Sequence, residues 1–69
     1  MATTLTLRVY DVAGRVVRTL VDGTMRAGRD LGVVWNGTDD AGAPVASGIY
    51  LCRLDAPGLR ASRKLVLLR

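Results

Sequence analysis

Polar and apolar residues alternate along Thr4-Leu5-Thr6-Leu7-Arg8-Val9-Tyr10, the period of a half-buried strand, with Leu5, Leu7 and Val9 on the inward face. Asp11-Val12-Ala13-Gly14 breaks that period and predicts a tight reversal. Asp bonds the backbone two residues on, and Gly14 can take the positive φ that such a turn needs. Arg15 to Val21 is a second β-rich run. Its apolar residues do not alternate cleanly, since Val16 and Val17 are adjacent while Leu20 stands three beyond Val17, and this predicts a bulge or a twist. A short helix is the competing reading, disfavoured by the β-branched residues and the flanking Gly. Asp22-Gly23 predicts the next turn, and Thr24 to Asp30 a connecting loop.

Leu31 to Trp35 predicts a third strand, with Leu31, Val33 and Trp35 on one face. Trp35 is the largest core piece the chain has, worth about 2–3 kcal/mol when buried. The stretch from Trp35 to Tyr50 organises the rest: Trp35 ends one strand, Tyr50 opens the next, and a folded connection of thirteen residues, Asn36 to Gly48, joins them. Loops of that length carry internal order or a function. Asp39-Asp40-Ala41-Gly42 echoes Asp11-Val12-Ala13-Gly14, and in both places Asp and Gly can fix a reversal. Ile49 to Asp55 is the fourth strand, with Tyr50, Cys52 and Leu54 on one face and Ile49 and Leu51 on the other. Apolar residues on both faces predict a central strand or one covered from outside the chain. Ala56-Pro57-Gly58 turns the chain, and Leu59 to Arg69 gives a last strand, strongest at Leu65 to Leu68. Five or six strands with turn signals every 8–12 residues predict a small, all-β, antiparallel β-sandwich filling residues 1–69 as one domain. Its expected core is Leu7, Val9, Val33, Trp35, Tyr50 and Leu54. Its expected turn pivots are Gly14, Gly37, Asp39, Gly42 and Gly48.

The 69 residues leave that core small. Ordering costs roughly 1–2 kcal/mol per residue, and below about 70–80 residues one core rarely leaves more than ~3–5 kcal/mol. A partner or neighbouring domain is expected to add to it. The apolar share of 49% comes from Val, Leu and Ala with no Phe, a palette that suits packed strands. Net charge is +4, but the basic residues are scattered singly apart from Arg63-Lys64. That dispersion predicts solvated sheet faces rather than a nucleic-acid or membrane site. Cys52, the single cysteine, cannot make an internal disulfide and is expected as a small core residue. No run approaches the ~18 apolar residues of a membrane helix. Met1-Ala2-Thr3-Thr4 lacks the basic and apolar regions of a secretory signal, so an export signal is expected on a larger parent or already removed.

Candidate chemistry is sparse. Asn36-Gly37-Thr38 matches a glycosylation sequon but is equally a turn. Asp39 and Asp40 with nearby carbonyls could hold Ca²⁺, although the spacing lacks the EF-hand pattern and its closing Glu, which favours turn capping. With no His, no Glu and one Cys, the usual triads and zinc sites cannot be assembled. The eight Gly are too dispersed for a phosphate loop. The expectation is a protein with no enzymatic activity, no cofactor, no bound metal and no small-molecule substrate.

Three stretches taken together carry a resemblance: Leu7 to Leu20, then Trp35 to Gly42 with Val45-Ala46-Ser47-Gly48-Ile49-Tyr50, then Lys64-Leu65-Val66-Leu67-Leu68-Arg69. They resemble the Ig-like domain of flagellar hook-capping proteins and its relatives at the C-termini of secreted bacterial proteins, among them the type IX secretion C-terminal sorting domains. The resemblance implies an Ig-like sandwich appended to an exported protein, secreted or held at the cell surface, with the secretion machinery or a neighbouring domain as partner. Lys64 to Arg69 matches the terminal sorting segment of that family. The hook-capping relatives imply the alternative of a structural subunit that self-assembles or caps an assembly. Such domains commonly begin with a further strand, announced by a Pro-Asn-Pro-Phe-like segment, whereas this chain starts almost at Leu5. An open edge invites another chain, so homo-oligomer formation by strand pairing is a further expectation.

Overall fold

The computed structural model describes residues 2–26 and 35–68, with side chains described over 4–23 and 35–68. It is all-β, with four antiparallel strands and no helix among the described residues: β1 (Ala2–Tyr10), β2 (Val16–Arg26), β3 (Gly48–Ala56) and β4 (Leu59–Leu67). They form a single sheet in the order β2-β1-β3-β4. The expected third strand at Leu31 to Val34, with its core residues Leu31 and Val33, lies outside the described residues.

The hairpin β1–β2 explains the irregular spacing of Val16, Val17 and Leu20. Leu7 pairs with Val21 and Arg8 with Thr19, so Leu20 is an extra residue; Val9 pairs with Arg18 and Tyr10 with Val16, so Val17 is another. Two bulges thus absorb the two breaks in the alternation. The turn expected at Asp22-Gly23 does not occur. β2 runs through it to Arg26, with Gly23 opposite Leu5 and Thr24, Met25 and Arg26 opposite Thr4, Thr3 and Ala2. Pairing to the start of β1 outweighs the local turn preference, because a turn there would leave the backbone groups of Ala2 to Thr4 without that ladder.

β3 and β4 pair over nine consecutive positions without a shift, from Gly48↔Leu67 to Ala56↔Leu59. Pro57-Gly58 closes this hairpin, with Gly58 at φ 72°. Proline fixes φ near −65° at the preceding corner, so the pair has the form of a type II turn.

Strand period and register sort the side chains into two faces. One face carries Leu5, Leu7 and Val9 from β1, Tyr50, Cys52 and Leu54 from β3, and Leu65 and Leu67 from β4. Three of its side chains are fully packed: Val9 at 0% exposure, Leu5 at 7% and Tyr50 at 8%. Leu7, Cys52, Leu54, Leu65 and Leu67 are half-buried. The opposite face carries Tyr10, Ile49, Leu51 and Val66 at one end and Arg8, Arg53, Asp55 and Arg60 at the other. β3 is central in the sheet, yet Ile49 and Leu51 remain 49% and 44% exposed, so pairing on both edges covers backbone and not this face.

Candidate functional site

The two Asp-x-Ala-Gly segments fold into the same turn. Asp11 Oδ1 accepts from the amides of Ala13 and Arg15, both at 3.0 Å, while the Gly14 amide donates to the Asp11 carbonyl and the Asp11 amide to the Arg15 carbonyl. Asp39 repeats the pattern: its Oδ1 accepts from the amides of Ala41 (3.0 Å) and Ala43 (2.9 Å), the Gly42 amide donates to the Asp39 carbonyl, and the Asp39 amide to the Ala43 carbonyl. Gly14 and Gly42 take φ of 83° and 85°. Aspartate satisfies two turn amides in each case, and glycine supplies the left-handed corner. The Asp39 carboxylate is therefore directed at backbone N–H groups, and among the described residues no cluster of acids, Cys or His is spaced to hold a metal.

A second set of contacts fixes the Trp35–Tyr50 corner. Trp35 Nε1 donates to the Thr38 carbonyl at 2.8 Å, and Tyr50 Oη donates to the Ala46 carbonyl at 2.6 Å. The rings meet edge to face, with centroids 5.1 Å apart and planes at 66°, a geometry worth about 0.5–1.5 kcal/mol beyond area burial. A tyrosine reaching back to backbone a few residues upstream is a corner device of Ig-like sandwiches. Tyr50 is buried and Trp35 half-buried. Between them the chain pinches together through a bridge of Thr38 with Pro44 and a 3.0 Å bond from the Val45 amide to the Gly37 carbonyl, leaving Gly37 buried. In the sequon-like stretch, Thr38 Oγ1 donates to Asn36 Oδ1 at 2.6 Å, a local turn bond.

This loop does more than connect. Asp40, at the position Val12 holds in the first turn, docks on the outer edge of β2. Its amide donates to the Val17 carbonyl (3.0 Å), its Oδ1 accepts from the Thr19 amide (2.8 Å), and Arg18 donates to the Asp39 carbonyl (2.7 Å) with Nε 4.0 Å from Asp40 Oδ1. Arg18 escaped the sequence analysis, which read it as one more scattered surface cation. The signal available was the second Asp of Asp39-Asp40, which the repeated turn does not use.

On the outer face Asp55 is held between two guanidinium groups. Arg60 Nε donates to its Oδ1 at 2.8 Å, while Arg53 Nε lies 3.0 Å from Oδ2 in an ion contact that lacks hydrogen-bond alignment. Desolvation pushes this carboxyl up, but the bond from Arg60 and the charges of Arg53 and Arg60 outweigh it and hold the group below the usual Asp range. Asp11 is also held low, first by the backbone bond from Arg15 and further by the Arg15 side chain 3.1 Å away. Burial pushes the Cys52 thiol up, as for a packing residue rather than a nucleophile. Between the sheet and Trp35 lies a cleft of about 280 Å³ lined by Leu7, Leu20, Trp35, Cys52 and Leu65. No charged side chain lines it among the described residues.

Of the other residues singled out in the sequence, Leu7 and Leu54 face each other across β1 and β3. Gly48 opens β3 at φ 158°, at the limit of the range that residues with a side chain rarely adopt. Lys64 to Leu67 end β4, Leu68 follows it in the open, and Arg69 lies outside the described residues.

Neither a curated protein nor a solved structure gives a match to the chain. The family model of the FlgD Ig-like domain matches residues 1–57, a span that takes in β1, β2, both Asp-x-Ala-Gly turns, the Trp35–Tyr50 corner and β3. The repeated turns and the tyrosine corner therefore lie within the matched span, and the chain belongs to the FlgD Ig-like domain family, a structural and non-enzymatic one.

Proposed function

We propose that the chain is a non-catalytic Ig-like module of an exported bacterial protein, serving to sort its parent or attach it to the cell surface. The observation that carries this reading is the last strand: β4 ends in the strand-forming stretch from Lys64 to Leu67, with Lys64 and Val66 exposed, like the terminal segment of sorting relatives. The commitment of Asp11, Asp39, Asp40 and Asp55 to turns and ion pairs supports a role without chemistry. The half-buried Leu7, Cys52, Leu54 and Leu65 support completion of the sheet by a second layer, the five- to six-stranded sandwich expected from the sequence. The test is a fusion of the chain to the C-terminus of a periplasmic reporter in a bacterium with type IX secretion. Reporter on the surface or in the medium, lost when Lys64 to Arg69 is deleted, is the expected result. Retention in the periplasm with and without that segment would overturn it.

The alternative is a structural subunit that assembles through its sheet edges, favoured by β4 standing at an edge. It predicts a solution mass that grows with concentration in light scattering, where the attachment module predicts a constant one.

A further inference from the structure

The two edges of the sheet are built differently. β2 carries two bulges, and the Asp40 loop occupies its outer backbone at Val17 and Thr19. Bulges and covering loops are two of the devices that stop an edge from recruiting another strand, and charged side chains, which act against partners of like charge, are a third. β4 has neither bulge nor covering loop: it pairs with β3 over nine residues in unbroken register, and among the described residues nothing pairs with its other side. It is also of one sign. Leu59 to Leu67 contains Arg60, Arg63 and Lys64 and no acid, and its first six residues are exposed. Arg60 is answered by Asp55, whereas Arg63 and Lys64 have no carboxylate partner among the described residues. These two are consecutive, so Arg63, opposite Cys52, stands on the apolar face and Lys64, opposite Leu51, on the outer face.

We propose that β4 is a docking edge for an acidic, extended segment of another protein, added as a fifth antiparallel or parallel strand. Main-chain hydrogen bonds supply the affinity, and adjacent acidic residues, one on each face, meet Arg63 and Lys64. A second copy of the chain fits this edge less well than an acidic strand in the register centred on Ser62. Antiparallel β4–β4 pairing centred on Ser62 sets Arg60 opposite Lys64, like charges that oppose association. The inference rests on the edges of the sheet and leaves the attachment reading standing if it fails, because that reading is decided by where the reporter goes.

The test is NMR titration of the full chain at low salt with a capped peptide of alternating Thr and Val around a central Glu-Asp pair, beside its Lys-Arg counterpart. Amide shifts along Leu59 to Leu67 with the acidic peptide are expected. Binding should weaken roughly tenfold for the basic peptide and for the Arg63→Gln, Lys64→Gln double variant, about what two cross-strand charge pairs supply. The peptide comparison needs no variant, so a misfolded mutant does not decide the outcome. Equal binding of both peptides, no binding of the acidic one, shifts confined to β2, or stronger shifts of the same amides by a DNA oligonucleotide or anionic vesicles would each overturn the proposal.

Discussion

Gly14 and Gly42 occupy equivalent corners of equivalent turns, at φ near 84° in both. A Cβ at either position would meet no atom within 4 Å, so a substitution there is opposed by backbone strain and not by crowding. Strain of this kind costs about 1 kcal/mol or somewhat more. Gly42→Ala is therefore expected to lower the melting temperature by roughly 4–8 °C per kcal/mol for a domain of this size. Gly42→Asn, which tolerates the left-handed region better, should cost less. Equal melting of Gly42→Ala and the parent in a calorimetric scan would refute the turn geometry. Both turns were legible in the sequence because every partner of Asp11 and of Asp39 in them lies within four residues.

At the scale of elements, the repeated turns have separate duties. The first only closes the hairpin β1–β2, while the second is carried back onto β2 by Asp40 and Arg18, whose partners lie 21 residues away. Arg18 is one-third and Asp40 over half exposed, so their ion contact is screened, and most of the worth lies in the bonds to backbone. A double-mutant cycle of Arg18→Ala and Asp40→Ala in urea unfolding is expected to give a coupling of about 0.3–1 kcal/mol. Asp40→Asn should retain much of the parent stability, since its amide oxygen still accepts from the Thr19 N–H. Additive single effects would show that the ion contact contributes nothing beyond the separate bonds to backbone. The bulges belong to this scale too: the adjacency of Val16 and Val17 announced an irregularity, but only the register with β1 placed it at Val17 and Leu20.

For the molecule as a whole, acid stability follows from two carboxyls. Asp11 and Asp55 both titrate lower in the folded chain than in the unfolded one. The stability they add is complete above the unfolded Asp value of about 3.9 and is lost as pH falls through their lower folded values. Denaturant midpoints should hold from about pH 6 to about pH 4 and then decline toward about pH 2, with the decline reduced in Asp55→Asn. A midpoint that rises on acidification would contradict both ion-paired geometries. Neither group is deeply buried, and the slope should shrink in high salt.

By itself the sequence determined what short-range chemistry controls. The alternation of Leu5, Leu7 and Val9 set which face of β1 turns inward, the two Asp-x-Ala-Gly segments set their own corners, and Pro57-Gly58 set the last hairpin. The absence of His and Glu bounded the chemistry. Tertiary structure decided what depends on distant partners. Asp22-Gly23 became strand because Thr6 and Leu5 pair with it and residues 2–4 carry the ladder on to Arg26, and Asp40 became a clamp because the fold brought Val17 and Thr19 beneath it. β4 became a basic edge because the strand order leaves its far side open among the described residues. A turn is fixed by a few neighbouring dihedrals, whereas an edge is defined only by which strand lies beside it, and no local pattern of residues encodes that.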